Sequence, residues 1–479
     1  MSVRPASQTL ILVVALGSWG VSCSCGGGSY GSDAGLKNDP RTGGGTTDSG
    51  VSVAEGDGGA SDDAGVPQAD RTDAGVSAGD GGTTLTCIEN WPTQPNSGSK
   101  PSIEGVQPGI KWKKTVPWLA YTSDLVLTGD RIGLLAGNKL WLLDRSGNVV
   151  GDFLDATAMG SATVVADAIG NFYLATSRIV ALTQDGAVRW TFEFGPSVSP
   201  LYSVGETSST MLLSPMGVLY FAASDGYVYA LQTSDGHVQW KREVGLRADG
   251  RVRWMNIGVG DAVFVEDRAY RASDGTPLGD LNVNGAAVQP LLASSSGVLA
   301  GRYVNSPDGR LENRMHMLGR CGELQWSFPD MQSWYSTLAG TDDALFVTRF
   351  DGTRFWSYWY SKTGSALKGP LPNRGVASAL GADGTVYSLE CDSGLLDQAN
   401  MTVFAYASDL TEAWALGMGA PCNYSAAALA DDGLLYLARD VSAGVEVIAI
   451  QTKSPGIAST AWPARRHDNR RTSWLGSAP

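Results

Sequence analysis

Eight copies of one strand pattern, a regular spacing between them and a recurring Gly-x-x-x-Trp signature predict an all-β chain. The predicted fold is an eight-bladed β-propeller of four-stranded antiparallel blades, with seven blades as the alternative count. The starts of successive copies lie about 40 to 50 residues apart, the period of a propeller blade. Helical signals are nearly absent: no capped stretch of about ten residues carries a 3.6-residue apolar period.

The clearest copy spans residues 217–245. A strand, Gly217-Val-Leu-Tyr-Phe-Ala-Ala-Ser224, precedes Asp225-Gly226, which predicts a two-residue type I′ hairpin loop. The apolar run Tyr227-Val-Tyr-Ala-Leu231 follows, then the turn Ser234-Asp-Gly236, then a short strand holding Trp240. Counterparts of the Tyr227 strand begin at Lys139, Arg178, Arg268, Arg314, Arg354, Thr402 and Glu446. These strands are apolar on both faces instead of alternating, as expected of sheets sandwiched between other sheets. Such a unit cannot bury its faces alone, so stacking of neighbours is required.

The last strand of the unit carries the most specific mark. Trp190, Trp240 and Trp326 each end a Gly-x-x-x-Trp, and looser copies hold Trp112 and Trp414. The pattern resembles the pyrroloquinoline-quinone-like propeller repeat over most of residues 109–474. The resemblance implies that these five tryptophans dock between neighbouring blades, where a large flat side chain buries roughly 150–250 Å². Gly151, Gly279 and Lys368 stand where Trp is expected, so those junctions should be less regular. The stretch Gly109–Val116 reads as a fourth strand without a blade before it. It can complete the last blade and so join the two ends of the chain. Thr460-Ala-Trp462 competes for that slot. Residues 462–472 resemble the Trp-Pro…His-Asp…Thr segment flanking such propellers and are expected to act as a closing strap. A basic patch from Arg465, Arg466, Arg470 and Arg471 is the alternative.

The N-terminus has the layout of an export signal. Arg4 precedes the apolar run Leu10-Ile-Leu-Val-Val-Ala-Leu16, and small residues lead to Cys23. Trp19-Gly-Val-Ser-Cys23 resembles a bacterial lipobox, with Gly20 in place of the favoured Leu; the resemblance implies lipidation of Cys23. Cys25 fits a looser form of the same pattern. Ser24 implies routing to the outer membrane. The expected organisation is a lipoprotein signal peptide over 1–22, a disordered tether over 23–86 and a propeller domain with its strap over 87–479. Residues 26–86 hold ten acidic and three basic residues and almost no aromatic ones. That composition cannot bury enough apolar surface to offset ordering. Its Asp-Gly pairs do not match the spacing of a calcium loop.

The chain of 479 residues carries 61 glycines and a net charge of −13, about half of it in the tether. So acidic a protein makes a poor nucleic-acid binder. An exported chain can form disulfides. Cys391–Cys422 is favoured, because each lies near strands of neighbouring late blades; closing about 30 residues would stabilise by about 3–4 kcal/mol. Cys87–Cys321 then follows only by elimination, with a free buried Cys321 as the alternative. No metal site is expected: Cys-x-x-Cys is absent, and His237, His316 and His467 lie far apart.

For chemistry, no catalytic residue, cofactor or metal ligand is assigned. The expected role is a non-enzymatic, protein-binding scaffold, an exported lipoprotein at the outer membrane or cell surface. It would be a monomeric propeller held by its lipid, with a protein partner in the cell envelope. Propeller lipoproteins of the outer-membrane barrel-assembly machinery are the nearest resemblance, and these dock partners through loops on one face. The alternatives are a quinoprotein dehydrogenase and a carbohydrate-binding propeller. The dehydrogenases resemble this repeat but hold their quinone beside an adjacent-cysteine disulfide and calcium, and no Cys-Cys pair occurs here. The carbohydrate reading rests on Trp334, Tyr335, Trp356, Tyr358, Trp359 and Tyr360 as stacking rings. Departures from the repeat are where function should lie: residues 196–210, 305–313, 334–360 and 391–401.

Overall fold

The computed structural model describes residues 85–92, 100–117, 122–155, 162–194, 211–246, 255–305, 311–328, 333–350, 355–373, 375–391, 399–422 and 424–460, with 464, 468, 474 and 475. The expected signal peptide, Cys23, most of the expected tether and strap, and the loops 196–210 and 306–310 fall outside the described residues.

Eight antiparallel sheets of the expected composition succeed one another along the chain. They are blade 1 (122–154), blade 2 (163–192), blade 3 (211–243), blade 4 (255–280), blade 5 (289–327), blade 6 (333–373), blade 7 (375–419) and blade 8 (424–451 with 109–116). The first strands of neighbouring blades touch all the way round, and that of blade 8, Tyr424–Leu429, returns to that of blade 1, Thr122–Leu127. These strands line the axis of a closed ring. Gly109–Val116 pairs with Gly444–Gln451 and takes the fourth place in blade 8, with Trp112 opposite Ala449. Thr460, of the competing stretch 460–462, lies elsewhere: its Oγ1 donates to Ala339 O of blade 6 at 2.6 Å, and residues 461 and 462 lie outside the described residues.

Burial follows strand position, which explains the absence of alternation. In blade 2, the second and third strands, Phe172–Ala175 and Ile179–Leu182, are buried at every position. The fourth, Val188–Phe192, is largely exposed. The apolar clusters accordingly belong to junctions. One joins Leu125 and Ile132 of blade 1 to Tyr436 and Val447 of blade 8, so the two ends of the chain close the ring through a buried core as well as through a sheet.

The hairpin turns depart from expectation. Gly226 has φ +79°, but Asp225 is not left-handed. Gly226 N donates to Ala223 O at 3.0 Å and Ala223 N to Tyr227 O at 2.9 Å, so the loop has three residues and ends on a left-handed glycine. The Asp225 carboxylate accepts from Tyr227 N, which holds the non-glycine part of the turn without a positive φ. The same pair of bonds recurs with Gly147, Gly186, Gly322 and Gly384.

Blade 4 has five strands, not four. Trp474–Leu475 runs parallel to Gly258–Val259 on its inner edge. Ala464 bridges Ala379 of blade 7 in the antiparallel sense. A small additional hairpin, Asn282–Val283 with Ala286–Ala287, links blades 4 and 5. The turns between first and second strands and between third and fourth strands share one end of the ring, here termed the hairpin face. Thr233 N, for example, donates to Gly217 O across that face of blade 3.

Removing residues 109–116 should leave blade 8 with an unpaired outer edge along Gly444–Gln451. The expected outcome is a lower unfolding temperature and concentration-dependent association, checked by thermal unfolding and size-exclusion chromatography.

Candidate functional site

The blade junctions are built from three residues in register across one sheet and a turn of the next. In blade 3, Trp240 of the fourth strand lies opposite Ala230 of the third, which lies opposite Tyr220 of the second. The small central Ala lets the two rings meet, at 5.7 Å between centroids. Trp190–Ala181–Tyr173, Trp414–Ala405–Tyr387 and Trp112–Ala449–Tyr436 repeat this in blades 2, 7 and 8. The indole then reaches the following blade. Trp112 Nε1 donates to Arg145 O at 3.0 Å, Trp190 to Thr233 O at 2.9 Å, Trp240 to Ala272 O at 2.8 Å and Trp326 to Lys362 O at 2.8 Å. Each acceptor sits in the turn between third and fourth strands. A glycine follows in that turn because the ring lies flat on it: a Cβ at Gly236 would stand 2.7 Å from the Trp190 ring. Trp414 packs beside Tyr387, 6.0 Å between centroids, within the cluster of blades 7 and 8. Burial pushes the Tyr220 and Tyr387 phenols well above the usual tyrosine range and keeps them neutral.

Three junctions lack the indole, at the positions expected, and each is resolved differently. Between blades 1 and 2, Gly151 lets its strand approach directly: a Cβ there would stand 2.8 Å from Asp185 O. Leu142, in place of the central Ala, fills the space above Gly186. Between blades 4 and 5, Gly279 leaves Gly322 uncovered, and the chain's own N-terminal segment fills the socket. A Cβ at Gly322 would meet Leu85 at 3.1 Å. Thr86 N donates to Leu278 O, Ile88 N to Arg320 O, and the Cys87–Cys321 disulfide fastens the segment. Trp91 adds bonds from Nε1 to Ser294 O and Ser295 O.

The third departure, between blades 6 and 7, leaves space. Lys368 stands in the indole's place, and its Nζ donates to Ser408 O at 2.6 Å, the carbonyl equivalent to Arg145 O at the Trp112 junction. The large side chain has moved to the third strand, where Trp359 lies opposite Lys368. Trp359 is 7% exposed and packs edge-on against Phe346, 5.4 Å between centroids. A Cβ at Gly340 would stand 2.7 Å from its ring, so that turn needs a glycine. The turn of blade 7 has Leu410 where the docking glycine stands elsewhere. Leu410 keeps the left-handed conformation (φ 69°) and packs with Trp359, Leu380 and Ala458. A left-handed non-glycine costs about 1–2 kcal/mol, which burial of a leucine offsets, at about 1.5–3 kcal/mol.

A cavity of about 480 Å³ remains on the hairpin face of this junction. Its apolar wall includes Trp359, Leu367 and Ile457, and its charged groups are Lys100, Lys362, Lys368 and Asp342. Lys100 is placed by its N–H bond to Ala382 O at 2.7 Å, and Asp342 by the left-handed turn of blade 6. Asp343, next in that turn, faces blade 5 and accepts from Ser295 and Ser296. At the rim, hydrogen bonds from Thr411 hold the Asp409 carboxyl below the usual carboxylate range, and the charge of Lys368 adds to this. Trp359 Nε1 is buried without a partner among the described residues. An unmade bond of that kind costs about 1–3 kcal/mol.

The remaining sequence candidates fall as follows. Cys391, at the end of the second strand of blade 7, is bonded to Cys422, just before blade 8. Tyr358, Trp359 and Tyr360 are buried between sheets, and of the three only Trp359 lines the cavity. Trp356 is partly buried against the core, and the side chains of Trp334 and Tyr335 lie outside the described residues. His316 Nδ1 is 2.7 Å from Ser327 Oγ within blade 5, a packing role. Among the described residues no three His, Cys, Asp or Glu side chains form a metal-binding group. The cavity at Lys368 escaped the sequence, although both signals were present. Lys368 and Leu410 break the repeat one blade apart, on the two sides of a single contact.

The sheet order and the docked tryptophans define an eight-bladed β-propeller protein. Residues 119–276, which are blades 1 to 3 and most of blade 4, match the family model described as outer membrane protein assembly factor BamB. No curated protein matches the sequence. Similar solved structures include BamB from Moraxella catarrhalis, at 14% identity and TM-score 0.43 over 72% of this chain and 100% of that one. The computationally designed Ika8 protein aligns at 13% and 0.48 over 73% and 99%. Quinohemoprotein alcohol dehydrogenase from Comamonas testosteroni aligns at 9% and 0.45 over 72% and 76%.

Trp240→Ala should lower stability by about 3–5 kcal/mol. Leu410→Gly should lower it by about 1–2 kcal/mol, since lost burial exceeds the relieved backbone strain. Both are checked by denaturant unfolding. Cys321→Ser should free the segment that covers Gly322. Its expected signature is faster proteolysis around residue 85 and a loss of about 2–5 kcal/mol.

Proposed function

We propose that this chain is an exported lipoprotein whose propeller acts as a non-enzymatic protein-binding scaffold in the cell envelope, in outer-membrane protein assembly or envelope organisation. The observation that carries the reading is the match of residues 119–276 to the model of an outer membrane assembly factor. The lipobox-like residues around Cys23 support a lipid anchor, with residues 1–22 as signal and 23–86 as tether. About 60 residues of such coil span roughly 40–45 Å, enough to hold the propeller clear of a membrane surface.

The quinoprotein dehydrogenase reading asks for a disulfide between adjacent cysteines. Both disulfides join residues distant in sequence, by 234 and 31 positions, so these cysteines do not fit that arrangement. Tyrosines that could serve as acids or bases are committed to junction packing instead; burial pushes Tyr360 up to about 12.

Labelled palmitate should enter the wild-type protein and not Cys23→Ser; equal labelling of both would remove Cys23 as the anchor. Affinity capture from native membranes with the tether intact should co-purify an assembly complex of the envelope. Recovery of the propeller alone, under conditions that preserve such complexes, would sink the scaffold reading.

A further inference from the structure

The cavity between blades 6 and 7 is a socket for a side chain that the repeat itself does not supply. Indoles of the preceding blade donate to the facing turn at four junctions. At the junction of blades 4 and 5 the socket takes Leu85, which comes from outside both sheets. That shows that a socket of this ring accepts a side chain from a separate segment. At the junction of blades 6 and 7 about 480 Å³ stays open, within the range of ligand pockets. The wall is apolar, and Leu367 on it is 55% exposed, which burial under an apolar group would relieve.

The charged groups narrow the occupant further. Lys368 is engaged by Ser408 O and stands near the Asp409 carboxyl. Lys100 and Lys362 have no ion-pair partner among the described residues, and Asp342 is the one carboxylate on the lining. The site therefore favours an anion.

We propose that this cavity binds an aromatic carboxylate presented by a partner's peptide. The ring enters the open space against the apolar wall of Trp359, Leu367 and Ile457, and the carboxylate lies on Lys100 and Lys362. The peptide source rests on the scaffold reading given above; the ligand chemistry rests on the cavity alone.

The test is calorimetry on the full chain with N-acetyl-L-tryptophan, N-acetyl-L-tryptophanamide and N-acetylglycine. N-acetyl-L-tryptophan should bind at least about tenfold more tightly than either of the others, which lack the charge or the ring. Its advantage over the amide should shrink as salt is raised, because the lysines are near the surface. Lys100→Ala with Lys362→Ala should bring its affinity close to that of the amide. The triple change Lys368→Trp, Trp359→Ala and Leu410→Gly restores the arrangement of the regular junctions and should abolish binding. The lysine pair, on surface side chains, decides the matter if the triple variant does not fold. No binding of N-acetyl-L-tryptophan by the wild type would overturn the site, and equal binding of the amide would overturn the carboxylate. The source has its own readout. If the lysine pair loses the probe yet captures the same envelope complex as the wild type, the peptide source is overturned while the scaffold stands.

Discussion

One contact repeated around the ring organises this molecule: an indole from a fourth strand laid on a glycine of the next blade's turn, its N–H on a carbonyl of that turn. A four-stranded sheet with two apolar faces has no stability of its own. The indole converts a stack of such sheets into a registered ring. The burial of roughly 150–250 Å² at about 25 cal/mol per Å² stabilises a junction by up to about 4–6 kcal/mol. The hydrogen bond adds direction, since it is satisfied only when the neighbouring turn sits at one height. Ala230, Ala181, Ala405 and Ala449 belong to the same device, because a larger side chain under the ring would keep it from the tyrosine behind.

The contact has three parts, and at two of the junctions that lose the indole a second part changes with it. Where Gly151 replaces the indole, Leu142 replaces the alanine. Where Lys368 replaces it, Trp359 replaces the alanine and Leu410 the glycine. The substitutions return part of the lost volume from the third strand, while the chemistry of the contact is not conserved. The charged end of Lys368 reproduces the hydrogen bond of the indole but none of its area, and a cavity with lysines on its wall is what remains.

The described segments before blade 1 and after blade 8 converge on the hairpin face. Residues 85–92 cover the junction of blades 4 and 5, and Lys100 and Ile103 are pinned to the turns of blades 7 and 8. The chain leaving blade 8 then returns across blade 7 and blade 6 and reaches the inner edge of blade 4. The cavity is framed by both of these segments, through Lys100 on one side and Ile457 on the other. The segment that precedes blade 1 therefore contributes directly to the site.

Much of the architecture was legible in the residues. The eight copies, the order of strands within each, the closing strand Gly109–Val116 and the three irregular junctions all follow from local patterns, because blade geometry constrains each copy in the same way. Turn details were less legible: Asp225-Gly226 fits two hairpin types, and only the hydrogen bonds of Ala223 separate them. The aromatic run ending in Tyr360 looked like a surface, since composition does not say which face of a strand is covered. Leu85 carried no signal at all, because its partner Gly322 lies more than two hundred residues away and nothing local marks the pair. The sequence alone thus establishes the repeat and the places where it breaks. What fills each break depends on volumes summed across two sheets, a turn and a distant segment, and only the folded ring brings those together.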